Sequence, residues 1–215
     1  MNEKRRPWIQ AAVDVTDIGL GKEIARMAAD AGAEWIEVGT PLLCHYGFEA
    51  IRELKKTVGD RARLIADFKY FHGPTLIEPA AQAGADYILM EDIFQDRFVE
   101  EALALARENN VELVYSLISK KPEDYVPRGL ELASMGVNYL FMWRTVTYKG
   151  QIWETLKKMR AATDIYIGVS DDDLSSARAA VDEGADWITF STVLKQNNPE
   201  VCREWVDTIL SRQEL

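Results

Sequence analysis

The chain has 215 residues, enough to bury one substantial core and too few for two comfortable ones, and its 47% apolar and 28% charged residues are ordinary for a globular protein. A formal charge of −10 disfavours nucleic acid as a partner, because phosphate binding needs a concentrated positive surface that releases counterions. The segment Met1 to Pro7 is charged rather than leader-like, and no run approaches the roughly 18 apolar residues of a membrane span, so a cytoplasmic protein with no membrane partner is expected.

Short apolar runs at Trp8–Val15 and Trp35–Thr40 predict two strands, with an amphipathic helix over Gly21–Ala31 between them and another over Phe48–Val58 after them. Further strands are predicted at Arg63–Lys69, Tyr87–Glu91, Glu112–Ile118, Tyr139–Trp143, Ile165–Ser170 and Trp187–Ser191. Helical periodicity marks Arg97–Asn109, Trp153–Ala162, Leu174–Glu183 and a last helix near Glu200–Arg212. The two cysteines, Cys44 and Cys202, match no metal-ligand spacing or disulfide framework and read as free thiols.

Four segments repeat one pattern at intervals of about 50 residues: a helix end, a glycine (Gly32, Gly84, Gly136, Gly184), then an apolar strand. A second strand falls midway in every repeat, so each repeat holds two βα units. Eight alternating units over residues 1–215, with 1–7 as a short extension, predict a single-domain (β/α)8 TIM barrel. After the first strand Val15-Thr-Asp-Ile-Gly-Leu-Gly21 is only a weak imitation of a dinucleotide fingerprint, which argues against an open doubly wound sheet.

Active sites of such barrels are built at the C-terminal strand ends. The polar residues there are Asp14, Glu37 with Thr40, Asp67 with Lys69, Glu91 with Asp92, Ser116 with Ser119, Arg144 with Thr145, Ser170 with Asp171, and Ser191 with Thr192. Strand periodicity puts Asp67 and Lys69 on one face, where the carboxylate keeps the lysine charged and oriented to donate a proton or stabilise an enolate. The same pair also reads as a buried ion pair that merely fills the barrel's end. Glu37 and Asp67 are the first choice for a hard-cation site such as Mg²⁺, although Glu37 equally suits a partner of Lys69. His72 in the following loop is a candidate acid or base, whereas His45 reads as a surface residue and Asp92 as a loop or cap residue.

At Trp35-Ile-Glu-Val-Gly-Thr-Pro41, followed by Tyr46-Gly47 and Ala50-Ile51-Arg52, the sequence resembles the orotidine 5′-monophosphate decarboxylase superfamily, within it the 3-keto-L-gulonate 6-phosphate decarboxylase and 3-hexulose-6-phosphate synthase branch. Gln10-Ala-Ala-Val-Asp14 looks like that family's first strand, and Ala66-Asp-Phe-Lys-Tyr-Phe-His72 stands against its Asp-x-Lys-x-x-Asp. The resemblance implies that Glu37 and Asp67 hold Mg²⁺, that Lys69 helps stabilise a 1,2-enediolate, that Asp14 orients the substrate, and that the chain forms a homodimer.

Three stretches depart from the family pattern. His72 replaces the second aspartate, and Phe141-Met-Trp-Arg-Thr-Val-Thr147 leaves only Arg144 in place of a protonating histidine and arginine. The usual Gly-Gly and Gly-Arg phosphate grip is replaced by Ile167-Gly-Val-Ser-Asp-Asp172 and Thr189-Phe-Ser-Thr-Val193. Gly168, Ser170, Ser191 and Thr192 remain as substrate contacts with Thr40 and Arg144, but Asp171–Asp173 makes the neighbourhood unfriendly to an uncompensated dianion. The expected function is a Mg²⁺-dependent carbon–carbon lyase acting on a small sugar-acid-like substrate, a decarboxylase of a β-keto sugar acid or related polyhydroxy acid. The alternatives are an aldolase resembling the hexulose phosphate synthase and a catalytically silent barrel that binds a small polar ligand.

Overall fold

The computed structural model describes residues 6–69, 73–93, 95–117, 119–143 and 152–211. Strands β1 (Trp8–Val13), β2 (Trp35–Val38), β3 (Arg63–Lys69), β4 (Tyr87–Glu91), β5 (Glu112–Ser116), β6 (Tyr139–Trp143), β7 (Tyr166–Ser170) and β8 (Trp187–Phe190) pair in parallel and in chain order. β8 returns to β1, with Trp8 opposite Trp187, and closes the single-domain (β/α)8 TIM barrel. Around it run α1 (Ile18–Ala31), α2 (Thr40–Tyr46), α3 (Phe48–Val58), α4 (Ile77–Ala83), α5 (Asp96–Glu108), α6 (Pro122–Ser134), α7 (Ile152–Ala162), α8 (Leu174–Asp182) and α9 (Pro199–Leu210). Among the described residues no helix is long and apolar enough to cross a membrane.

The strands read as continuous apolar runs because both faces are covered. On β1, Ile9, Ala11 and Val13 pack outward with α1 residues such as Ile24 and Ala28, while Trp8, Gln10 and Ala12 alternate to the barrel axis. The repeated glycine-acid pattern has a physical reason. Gly32 sits at φ 104 at the end of α1, where its amide reaches back to the carbonyls of Ala28 and Ala29; a side chain would be strained in that left-handed turn. Two residues on, Glu34 accepts a hydrogen bond from the backbone amide of Ile9, 3.0 Å away. Asp86 does the same for Leu64 at 2.8 Å and Asp186 for Ile167 at 2.7 Å. The acid before β2, β4 and β8 thus ties each of those strands to the odd strand ahead of it, while Asn138 stands in that place before β6.

Several element boundaries differ from expectation, each for a local reason. β1 stops at Val13, where its pairing with Val38 ends. α1 starts at Ile18 rather than Gly21 because the Asp17 carboxylate caps it, accepting from the Leu20 amide at 2.7 Å. Thr40 opens α2 instead of finishing β2, since Pro41 supplies no amide for the ladder and suits a first helical turn.

The lower half of the barrel is filled by rings. Trp35 lies 4.3 Å from Tyr87 and 5.2 Å from Trp187 between centroids, Tyr139 stacks on Tyr166 at 5.0 Å, and Trp8 meets Tyr166 at 5.0 Å. This aromatic plug is the rigid floor on which the cavity at the other end stands. Gly168 belongs to the plug: a Cβ there would lie 1.8 Å from the Trp187 ring, so the missing side chain makes room for the indole. Gly168→Ala is therefore expected to lower stability by about 1–3 kcal/mol in urea unfolding; unchanged stability would show that the floor can yield.

Candidate active site

One cavity opens at the C-terminal end of the barrel, with a volume of about 60 Å³, room for a few waters or a hydrated ion beneath a wider entrance. Its wall carries Asp14 after β1, Glu37 from β2, Asp67 and Lys69 from β3, Ser170 and Asp172 at β7, and Thr189 and Ser191 at β8. Phe141, Trp143 and Leu89 supply the apolar side.

β3 is irregular where it matters. Asp67 pairs with Leu89 but Lys69 with Met90, so two residues of β3 advance for one of β4, and Lys69 takes φ 42. Such a bulge re-aims a side chain, and a non-glycine residue held in the left-handed region is kept there by its surroundings. Here the hold is explicit. The Lys69 ammonium contacts the Asp67 carboxylate, donates to the Thr40 hydroxyl at 3.3 Å, and sits 5.3 Å from the centroid of the Trp143 ring. Thr40 in turn donates to Asp67 Oδ2 at 2.8 Å.

Asp67 is fully buried, and its other oxygen, Oδ1, has no hydrogen-bond partner among the described residues. Glu37 is also buried and is oriented by Gln10, whose Nε2 donates to Oε2 at 2.5 Å. Burial pushes the Glu37 carboxyl well above the usual range, and repulsion from Asp67 and Asp14 adds to it. Asp14 is raised too, chiefly by burial, with Lys69 opposing the effect. Its carboxylate comes so near the start of α2 that a Cβ at Gly39 would lie 2.3 Å from Oδ1. Burial works against the Lys69 ammonium, but the three carboxylates outweigh it and raise its pKa, so it is charged at neutral pH.

The donor set suits a hard cation. Glu37 and Asp67 line the same cavity, Oδ1 of Asp67 lacks a donor among the described residues, and a cation would relieve the repulsion between the buried carboxylates. Among the described residues no group of three or more ligating side chains forms, so a cation here rests on the two-carboxylate kind of site that Mg²⁺ accepts, completed by water and substrate oxygens.

The structure thus gathers Asp14, Glu37, Asp67, Lys69, Ser170 and Ser191 on one cavity, with Thr40 behind Asp67. Gly168, expected as a substrate contact, is not among the cavity's described lining and lies buried against the Trp187 indole. Thr192 is exposed, and its hydroxyl and amide both bond to Asp172. His72 and Arg144 fall outside the described residues. His45 is exposed on α2, with Nδ1 3.1 Å from the Pro41 carbonyl. Asp92, expected as a loop or cap residue, is a buried clamp that receives Arg128 through two bonds of 2.8 and 3.0 Å. Gln10 and Thr189 were not anticipated. Strand period two, counted back from Asp14 and from Ser191, leads to both.

Glu91, at the end of β4, is a second buried carboxylate. Its Oε1 accepts from the Ser119 amide at 2.7 Å, and Oε2 has no hydrogen-bond partner among the described residues.

A sequence model of the Orotidine 5'-phosphate decarboxylase / HUMPS family matches residues 7–198. A 3-hexulose-6-phosphate synthase of Staphylococcus aureus is 23% identical over 158 residues, 73% of each chain. The solved 3-hexulose-6-phosphate synthase from Salmonella typhimurium superposes with a TM-score of 0.81 at 20% identity, over 94% of this chain and 98% of that one. The 3-keto-L-gulonate-6-phosphate decarboxylase from Vibrio cholerae gives 0.72 at 22% identity, over 94% and 98%. At such identities the structural likeness speaks for the fold.

Burial raises the Glu91 pKa above its ordinary value of 4.5. Between that value and the raised one, the native state keeps a proton that the unfolded chain has released, so stability falls as pH rises through the interval. Glu91→Gln, which retains an acceptor for the Ser119 amide, is expected to exceed the parent's stability at pH 7. In urea unfolding the difference should close below the ordinary carboxylate value; a variant weaker than the parent at pH 7 contradicts the assignment.

Proposed function

The chain belongs to the Orotidine 5'-phosphate decarboxylase / HUMPS family, and from that premise we propose that it is a Mg²⁺-dependent carbon–carbon lyase working through a 1,2-enediolate, decarboxylating a β-keto sugar acid or related polyhydroxy acid. The observation that carries this reading is the convergence of Glu37, Asp67 and Lys69 on one cavity, where Lys69 is the one ammonium of the described lining and the carboxylates of Asp14, Glu37 and Asp67 act on it.

Glu37 and Asp67 would hold Mg²⁺, which when bound would supply positive charge to offset oxyanions on the substrate. The chain's own groups do the rest. Gln10 fixes the Glu37 carboxyl, and Thr40 fixes the Asp67 carboxyl, so neither must reorganise as charge develops. Lys69, kept charged and aimed by the β3 bulge, donates to the enediolate oxygen nearest β3. Asp14, Ser170 and Ser191 stand where hydroxyls of the substrate can pair with them. On loss of CO₂ the electron pair of the broken carbon–carbon bond stays on the substrate as the enediolate, and protonation at carbon completes the turnover. His72, three residues beyond Lys69, is the proposed proton carrier. Trp143, Phe141 and Leu89 keep that side of the cavity dry, which strengthens each of these interactions.

A second reading draws on the relatives named as hexulose phosphate synthases: the same enediolate attacks an aldehyde and forms a bond instead of protonating. CO₂ release against aldehyde consumption separates the two. The homodimer and the cytoplasmic setting belong to the same proposal.

Asp67→Asn and Lys69→Ala are each expected to reduce Mg²⁺-dependent turnover about 10²–10⁴-fold, measured as CO₂ released from a panel of β-keto sugar acids. Turnover unchanged in both variants removes the assignment, and ligand binding with neither metal dependence nor turnover in the parent points to a silent binding barrel.

A further inference from the structure

Asp172 sits between the end of β7 and the start of α8, on the wall of the same cavity. Its Oδ1 accepts hydrogen bonds from two successive backbone amides after β8, Ser191 at 2.8 Å and Thr192 at 2.9 Å, and its Oδ2 accepts from the Thr192 hydroxyl at 2.8 Å. Successive amides that point together hold anions. Here the anion is a carboxylate of the chain itself, so those donors are already engaged.

Among the described lining residues the rest of that wall is neutral or acidic. Thr189 lines it, and its hydroxyl is buried without a hydrogen-bond partner among the described residues. Ser170 and Ser191 stand beside it, and Lys69 across the cavity is the single cationic residue among the described lining. A group entering between β7 and β8 therefore meets hydroxyls to pair with and a fixed negative charge to avoid.

We propose that Asp172 determines specificity by filling these amides with the chain's own carboxylate, so that the end of the substrate lying against β7 and β8 is an uncharged, hydroxyl-bearing one and a phosphorylated end is turned away. The proposal rests on the lyase reading for the orientation of the substrate, whose acidic end faces Glu37, Asp67 and Lys69. A hydroxyl at this wall donates to a free lone pair of Asp172 and accepts from Thr189. A phosphate dianion there meets like charge and finds its natural donors occupied.

The test compares binding of an uncharged pentose with that of its 5-phosphate, by calorimetry on the full chain and without turnover. The parent is expected to bind the phosphate no more tightly than the free sugar. Asp172→Ala, which frees the amides and removes the charge, should shift the ratio of the two dissociation constants toward the phosphate by about tenfold. Asp172→Asn, which keeps an acceptor for both amides and removes only the charge, should shift it the same way by less, and it decides the matter if the alanine variant does not fold. A parent that prefers the phosphate, or a ratio unmoved by the substitutions, overturns the proposal. A chain that shows the shift yet keeps full turnover as Asp67→Asn and Lys69→Ala retains Asp172 as a selector and loses only the reaction assignment.

Discussion

Among the described residues four carboxylates and one ammonium line the mouth of this barrel, and the geometry of its C-terminal face answers to that imbalance. Asp14, Glu37 and Asp67 all act on Lys69, and burial presses on each of the four groups for which a shift is resolved or an orphaned oxygen remains. In water such a cluster would disperse. Here it is held because Lys69 is locked at a positive φ by a bulge, Thr40 bridges Asp67 and Lys69, and Gln10 grips Glu37 from below. An arrangement so costly in isolation is what a bound cation would relieve.

The cluster can be held only because the opposite end of the barrel does not move. Six large rings fill the lower layers, and Gly168 gives up its side chain to admit one of them. Below them, Glu34, Asp86 and Asp186 stitch neighbouring strands through backbone amides. Stability and function are thus assigned to different ends of the same strands: β2 carries Trp35 in the plug and Glu37 in the site, two residues apart, and β8 carries Trp187 and Thr189 in the same way.

Much of this was legible in the sequence, for reasons that can be named. The glycine repeat marked the helix-to-strand junctions because the left-handed turn at Gly32 and its equivalents suits no side chain well. Period two pointed to Asp67 and Lys69 as one group, but the bulge between them, which holds Lys69 at a positive φ, was not visible in the pattern. What stayed hidden depended on contacts between distant segments. Nothing local distinguishes Gly168 beneath an indole from a glycine at a ligand, or Asp92 receiving Arg128 from a loop aspartate. Asp172 looked like one member of an acidic run until the amides after β8 were seen to converge on it.

The central claim is that Glu37 and Asp67 form a cation site that the folded chain needs filled, and thermal unfolding with and without Mg²⁺ tests it without reference to any substrate. Saturating Mg²⁺ is expected to raise the melting temperature of the parent by about 5 °C, the scale of a ligand at a hundred times its dissociation constant in a domain of this size. Asp67→Asn should lose that rise. A parent indifferent to Mg²⁺, or a variant that responds as the parent does, would contradict the account.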